Sequence, residues 1–304
     1  MDIIPYAGWK KCVRLSNGTI ELVATTEVGP RILRFGFVGG PNEFVEYPDQ
    51  LGQTGGAAYR SYGGHRLWVA PETEGWTNHP DNRPVAVSDE NGDCVLTPPV
   101  EEGTGLQKQI RVRLLSDPAA VRVEHRITNR GSSSTTLAPW ALSVMAPGGM
   151  AVIPHEPFIP HGKKVLPAGP VVLWHYTDMT DDRWTWGKRF IILRHSSSSS
   201  SPQKAGALIT EGWGAYVNGE RLFLKRFPYD AEAKYPDFGV NAEFFTNARM
   251  LEVETLGPLR TLRTDETAVH VEHWFLFRGI RFPPDDDGRE RLMAELLHHS
   301  PAPS

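Results

Sequence analysis

Cysteine is nearly missing from this chain. Its two residues, Cys12 and Cys94, cannot build a disulfide framework, and neither lies in a metal-ligand or redox spacing. No run approaches the roughly 18 apolar residues needed to cross a bilayer. Met1-Asp2-Ile3-Ile4-Pro5-Tyr6 carries no basic segment ahead of an apolar one, which argues against a secretory leader and, with the sparse cysteine, for the cytoplasm. Excess positive charge is absent too: 32 basic residues against 36 acidic ones leave a net charge of −4. That balance draws the chain neither to nucleic acid nor to an anionic membrane. There is no Gly-rich phosphate loop, no Gly-x-Ser-x-Gly elbow and no His-Glu-x-x-His helix. Nucleotide hydrolases, elbow-type serine hydrolases and zinc proteases are thereby disfavoured.

The 304 residues suffice for a large core without a disulfide or metal staple, and 40% hydrophobic with 22% charged residues describes a globular chain. Glycine (29) and proline (25) are plentiful, which implies many turns and few long helices. Period-two alternation is clearest in 106–114, with Leu106, Ile110, Val112 and Leu114 opposite Gln107, Gln109, Arg111 and Arg113. It returns in 121–128, a pattern of strands with one buried face. Lys11 to Thr25 around Asn17-Gly18 reads as a hairpin. Further strands are expected at 31–38, 137–144, 189–194, 205–209, 214–217, 221–227, 250–256 and 269–277. Only 288–298 reads as a helix, with Asp285-Asp286-Asp287 as its acidic lead. The expectation is one all-β antiparallel domain over 1–304 with a short C-terminal helix, Ser196 to Ser201 forming a flexible surface loop.

Several segments carry candidate chemistry. In Tyr62 to Glu72, His65, Arg66, Trp68 and Glu72 follow two glycines. A guanidinium fork can bind vicinal hydroxyls, and an indole can face the C–H side of a sugar ring. Equally, Trp68 could be core and Arg66 could pair with Glu72. His79 and Asn82, in the loop that follows, are candidates for its rim. Lys225, Asp237, Asn241 and Glu243 could line a cleft or form a solvated loop. Glu252 and Glu254 lie two apart on a strand pattern and so share a face. Like charges there, if partly buried, raise a carboxyl pKa toward the range of a general base, although a solvent-facing sheet surface would also tolerate two glutamates. His270 and His273, three apart on a strand, face opposite ways and cannot share a metal, so no catalytic transition metal is expected, while a structural cation stays open; no cofactor is expected.

Gly63-Gly64-His65-Arg66-Leu67-Trp68 through Pro71-Glu72, Pro80-Asp81-Asn82, Tyr235-Pro236-Asp237 to Glu243, and Leu251-Glu252-Val253-Glu254-Thr255-Leu256-Gly257-Pro258 resemble an uncharacterised bacterial family. It belongs to the galactose-mutarotase-like (aldose 1-epimerase-like) superfamily. The resemblance spans roughly Val13 to Phe277, nearly the whole chain. It implies a β-supersandwich whose concave face binds a small-molecule carbohydrate. It also implies Arg66 as the substrate-binding arginine, Glu254 as the catalytic glutamate and His79 as a first histidine. A second histidine has no match, because the corresponding stretch reads Ala138-Pro139-Trp140-Ala141-Leu142-Ser143. His65 is then the candidate general acid. The expected activity is interconversion of sugar anomers by acid–base catalysis. The alternatives are a non-catalytic carbohydrate-binding protein, or a different epimerase, isomerase or lyase on a sugar or sugar acid.

Overall fold

Two antiparallel sheets packed face to face form the framework of the computed structural model, which describes residues 1–117 and 119–303. One has eleven strands, and its middle runs Arg31–Phe37, Gly64–Ala70, Thr135–Met145, Leu251–Leu256, Ala242–Thr246 and Gln203–Ala207. The other has ten, with Met150–Pro154, Trp213–Asn218, Arg221–Arg226, Thr267–Arg278, Ala120–Asn129 and Leu106–Leu114 at its middle. The expected all-β class holds. No helix among the described residues is long and apolar enough to cross a membrane.

Alternation decides what lies between the sheets. Leu106, Ile110 and Val112 point inward, while Arg111 and Arg113 look out beside Asp93 and Glu124. At the centre of the core Phe35, Phe44, Phe223 and Trp274 interlock; the Phe35 and Phe44 ring centroids lie 5.5 and 5.6 Å from that of Trp274. Such edge-on and tilted pairs add about 0.5–1.5 kcal/mol each beyond burial. The expected hairpin forms between Trp9–Ser16 and Ile20–Thr25, with Asn17 Oδ1 accepting from the Thr19 and Ile20 amides.

Two expectations change. The helix spans Asp286–His298 rather than starting at Gly288, because Asp285 caps it and accepts from the Gly288 amide at 2.8 Å. Its acidic lead therefore supplies both the cap and the first turn. Met293 and Leu296 pack it onto Phe190, Trp213 and Phe275 of the ten-stranded sheet. The second change concerns Gly64–Ala70, Met150–Pro154 and Ala242–Thr246, strands that polar/apolar alternation did not reveal. Both faces of each are largely buried, so the residues pointing either way are apolar or are polar groups with partners. Gly64 starts the first of them at φ +72°, where a Cβ would stand 2.3 Å from the Ile32 carbonyl oxygen. Only glycine allows that approach.

Candidate functional site

Cross-strand register assembles one polar cluster on the face of the eleven-stranded sheet that turns away from its partner. Leu142 lies opposite Arg66 on one side and opposite Glu254 on the other. Glu254 in turn lies opposite Glu243. Arg66, Leu142, Glu254 and Glu243 thus form one row across four strands. At about 4.8 Å per strand, the Arg66 and Glu254 backbones stand about 10 Å apart. The neighbouring row places Glu252 opposite Phe245, which lies opposite Lys204. Trp68 and Trp140 lie opposite each other in the row on the other side, their centroids 5.5 Å apart. The floor is apolar, built from Ala70, Ala138, Leu142 and Leu256 around Trp140.

The charges are tightly coupled. Arg66 donates from Nη2 to Glu252 Oε1 at 2.8 Å, and its guanidinium lies 4.4 Å from the Trp68 ring. Lys204 Nζ sits 2.7 Å from Glu243 Oε2 and 3.3 Å from Glu254 Oε2, between the rings of Trp140 and Trp174 at 4.6 Å each. Trp140 Nε1 donates to Glu254 Oε2 at 2.8 Å. Three carboxyls thus face two cations, all of them buried. Burial pushes Glu243 well above the usual carboxyl range, and the nearby Glu254 charge adds to this against the pull of Lys204. Burial also raises Glu252, although Arg66 opposes it. Burial works against the charge on Lys204, yet Glu254 and Glu243 hold its pKa above that of an ordinary lysine. With three buried carboxyls against two cations, burial favours the protonated form of Glu243 most strongly and that of Glu252 as well. Buried atoms without a hydrogen-bond partner also converge here: Arg66 Nε and Nη1, Glu243 Oε1, Glu254 Oε1 and the Tyr59 hydroxyl.

Five of the expected site residues, Arg66, Trp68, Glu243, Glu252 and Glu254, are therefore brought together. Arg66 pairs with Glu252 rather than with Glu72, which is exposed. Burial pushes the Tyr176 hydroxyl up to about 12, with Glu254 and Glu72 adding to this against the pull of Lys204.

His65 and Lys225 face the other way. Adjacent strand residues point to opposite faces, so the strand that presents Arg66 outward sends His65 between the sheets. There His65 Nε2 lies 2.7 Å from His125 Nε2, and Nδ1 lies 2.9 Å from Ser143 Oγ. His65 is fully buried and cannot serve as the acid of the outer face. Lys225 Nζ donates to Glu272 Oε1 at 2.9 Å and to the carbonyls of Ala141 and Val253. Those two carbonyls belong to the strands that carry Trp140 and Glu254, so Lys225 clamps the site from beneath.

Partners fix the protons of this inner network. His125 Nδ1 meets the His270 carbonyl at 3.1 Å and must carry hydrogen; its Nε2 then accepts from His65, whose Nδ1 accepts from Ser143. Thr255 donates to Glu272, so its oxygen accepts from His270 Nε2. Burial holds all three imidazoles neutral, lowering His125 to about 4 and His270 to about 3. Burial alone would raise Glu272, but Lys225, His125 and His270 outweigh it and hold the carboxyl near about 2. His65, His125 and Glu272 place ligand atoms within 4.8 Å of one another, so among the described residues they are the set arranged to hold a metal ion. The Lys225 ammonium already supplies the counter-charge of Glu272. His273 lies on the far side of its strand and contacts the Pro301 carbonyl.

The remaining expected residues lie around the cluster. Trp68, His79 and Asn82 line a cavity of about 560 Å³ beside the Gly64–Ala70 strand. Asn82 is held by the Tyr62 hydroxyl and by the Gly56 and Ala58 carbonyls, so it shapes the wall. Asn241 closes on the amide and carbonyl of Ile209, which fixes a turn. Asp237 occupies a tight turn at φ +49°, near enough for its charge to add to the rise of Glu243. Lys204, Trp140 and Trp174 carry much of the site and were not expected. Lys204 follows the serine tract, and Trp140 drew notice only for standing where a histidine was sought. Trp174 packs beside Gly206, where a Cβ would meet its ring at 3.4 Å.

No protein-family model and no curated protein matches the sequence. Solved structures do resemble it. A protein from Synechocystis sp. PCC 6803 is 12% identical, with a TM-score of 0.57 over 92% of this chain and 100% of its own. A galactose mutarotase-like protein from Lactobacillus casei is 9% identical, with a TM-score of 0.53 over 88% and 100%. A galactose mutarotase related enzyme from Lactobacillus acidophilus is 8% identical, at 0.55 over 88% and 98%. At such identities the likeness concerns architecture alone. The chain adopts the galactose mutarotase-like fold.

Proposed function

We propose that the outer face of the eleven-stranded sheet binds a carbohydrate and interconverts its anomers by acid–base catalysis. The observation that carries this reading is the row Arg66–Glu254–Glu243, with buried unpartnered atoms on all three side chains and indole rings beside them. Unpaired donors and acceptors held in an apolar surround cost stability unless a ligand completes them. Trp68 and Trp174 are the half-buried members, so entry is across them.

In this mechanism Glu254 Oε1 takes the proton of the anomeric hydroxyl. The protonated Glu243, directly opposite on the next strand, delivers its proton to the ring oxygen. Side chains paired in this way stand about 5 Å apart at Cβ, which suits two oxygens attached to one carbon. The C1–O5 bond breaks as the carbonyl forms, the C1–C2 bond turns, and reclosure on the other face reverses both proton transfers. Arg66 and the indoles hold the ring, and Lys204 keeps the two carboxyls in place. General acid and base contribute about 10²–10⁴-fold each, ample for a reaction that already proceeds in water.

The experiment is saturation-transfer NMR of anomer exchange with a panel of aldoses. Wild type accelerates exchange, and Glu254→Gln loses at least 100-fold while still folding. Equal acceleration by both proteins overturns the mechanism. Sugar binding without any exchange would instead support the binding-only reading, which the inward turn of His65 favours.

A further inference from the structure

We infer that the ligand of this site is a saccharide longer than one ring, its second residue seated in the cavity beyond Trp68. The inference rests on the carbohydrate reading above and extends it to substrate class.

Trp68 is shared between the two places. One set of its contacts reaches the Arg66 guanidinium at 4.4 Å and Trp140, the donor to Glu254. It also forms part of the cavity wall, together with Pro30, Pro98, Pro99 and Val100. A ring held against Glu254 that continues across this half-buried indole enters the cavity directly. The volume of about 560 Å³ falls within the roughly 300–1,000 Å³ of small-molecule sites.

The wall chemistry selects the occupant. Its carboxylates are already matched: Asp81 by Arg31 at 2.9 Å, Glu101 by Lys108 at 2.7 Å and Glu102 by Arg83 at 2.7 Å. No net charge is left to attract a phosphate or a carboxylate. What remains is an indole and proline rings, flat apolar surfaces suited to the C–H faces of a neutral pyranose. The exposed Arg83–Glu102 pair and the half-buried His79 supply hydrogen-bonding groups at the rim for its hydroxyls.

The test is calorimetric titration of the full chain with glucose and galactose, and with maltose, cellobiose and lactose. At least one disaccharide binds ten-fold or more tightly than either monosaccharide. Val100→Trp, which fills the cavity from a 40% exposed wall position, removes that gain and leaves monosaccharide affinity within two-fold. Ala57→Phe fills it from the facing loop and serves if the first variant does not fold. Disaccharides that bind no better than monosaccharides, or a gain that survives both filling variants, overturn the inference and leave the carbohydrate reading standing. Failure of every sugar to bind overturns both.

Discussion

One sheet separates two clusters of buried charge that differ in completeness. Beneath it, between the sheets, Lys225, Glu272, Thr255, Ser143 and three histidines satisfy one another in a chain whose proton positions are fixed, with only His270 Nδ1 lacking a partner. Above it, Arg66, Glu243 and Glu254 keep several atoms without partners, although they are buried just as deeply. A closed network stabilises and positions, while an open one at equal depth is arranged for something that arrives from outside. Burial and ionic pairing alone would not tell the two apart.

The largest effect comes from breaking the closed network. Lys225→Met strands the Glu272 carboxylate between the sheets and should cost about 3–5 kcal/mol in denaturant unfolding. Adding Glu272→Leu should recover part of that loss. A single variant costing under about 1 kcal/mol would mean that the inner pair is not closed.

Acid attacks the same network next. The folded-state pKa values of His65, His125 and His270 lie below that of an ordinary imidazole, about 6.5, so the unfolded chain binds more protons below that pH. Their contribution is fully present above pH 6.5 and is lost as pH falls toward about 4 and then about 3. Glu272, with its folded value at about 2, adds a loss as pH falls from the ordinary carboxyl range toward that value. The thermal midpoint should therefore begin to drop above pH 5, before exposed carboxylates titrate. Glu243 and Glu252, whose folded values are raised, pull the other way over this range, so a midpoint that stays flat between pH 6.5 and 5 in a Glu243→Gln, Glu252→Gln double variant contradicts neutral buried imidazoles.

The open cluster should behave in the opposite way. Glu243→Gln keeps the shape and removes the transferable proton, so stability should change by no more than about 1 kcal/mol. Anomer exchange should slow about 100-fold. Loss of stability without loss of exchange would reverse the roles assigned to the two faces. The smallest effect is expected at the rim, where Arg83 and Glu102 are 58% and 77% exposed. Arg83→Ala should leave the unfolding midpoint in denaturant unchanged within error.

Sequence patterning revealed what alternation can reveal. The 106–114 strand and the shared face of Glu252 and Glu254 follow from a period of two. Gly64–Ala70 escaped because its inward residues include a histidine that alternation scores as polar and exposed. The same period, applied one residue further, already forbids His65 and Arg66 from serving one pocket. Lys204 was hidden for another reason: its partners lie 39 and 50 positions away in the chain, and only the strand order brings them beside it. Lys225 likewise finds Glu272 through the pairing of Arg221–Arg226 with Thr267–Arg278.

The adjacency of His65 and Arg66 also limits how such a protein can change. A one-residue insertion or deletion ahead of Arg66 that kept the strand in place would swap imidazole and guanidinium. A permanent cation would then lie in the dry interior, and the ligand would lose its arginine. Along this strand the binding surface can be remodelled only in steps of two, so a single-codon length change there exchanges the two faces at once.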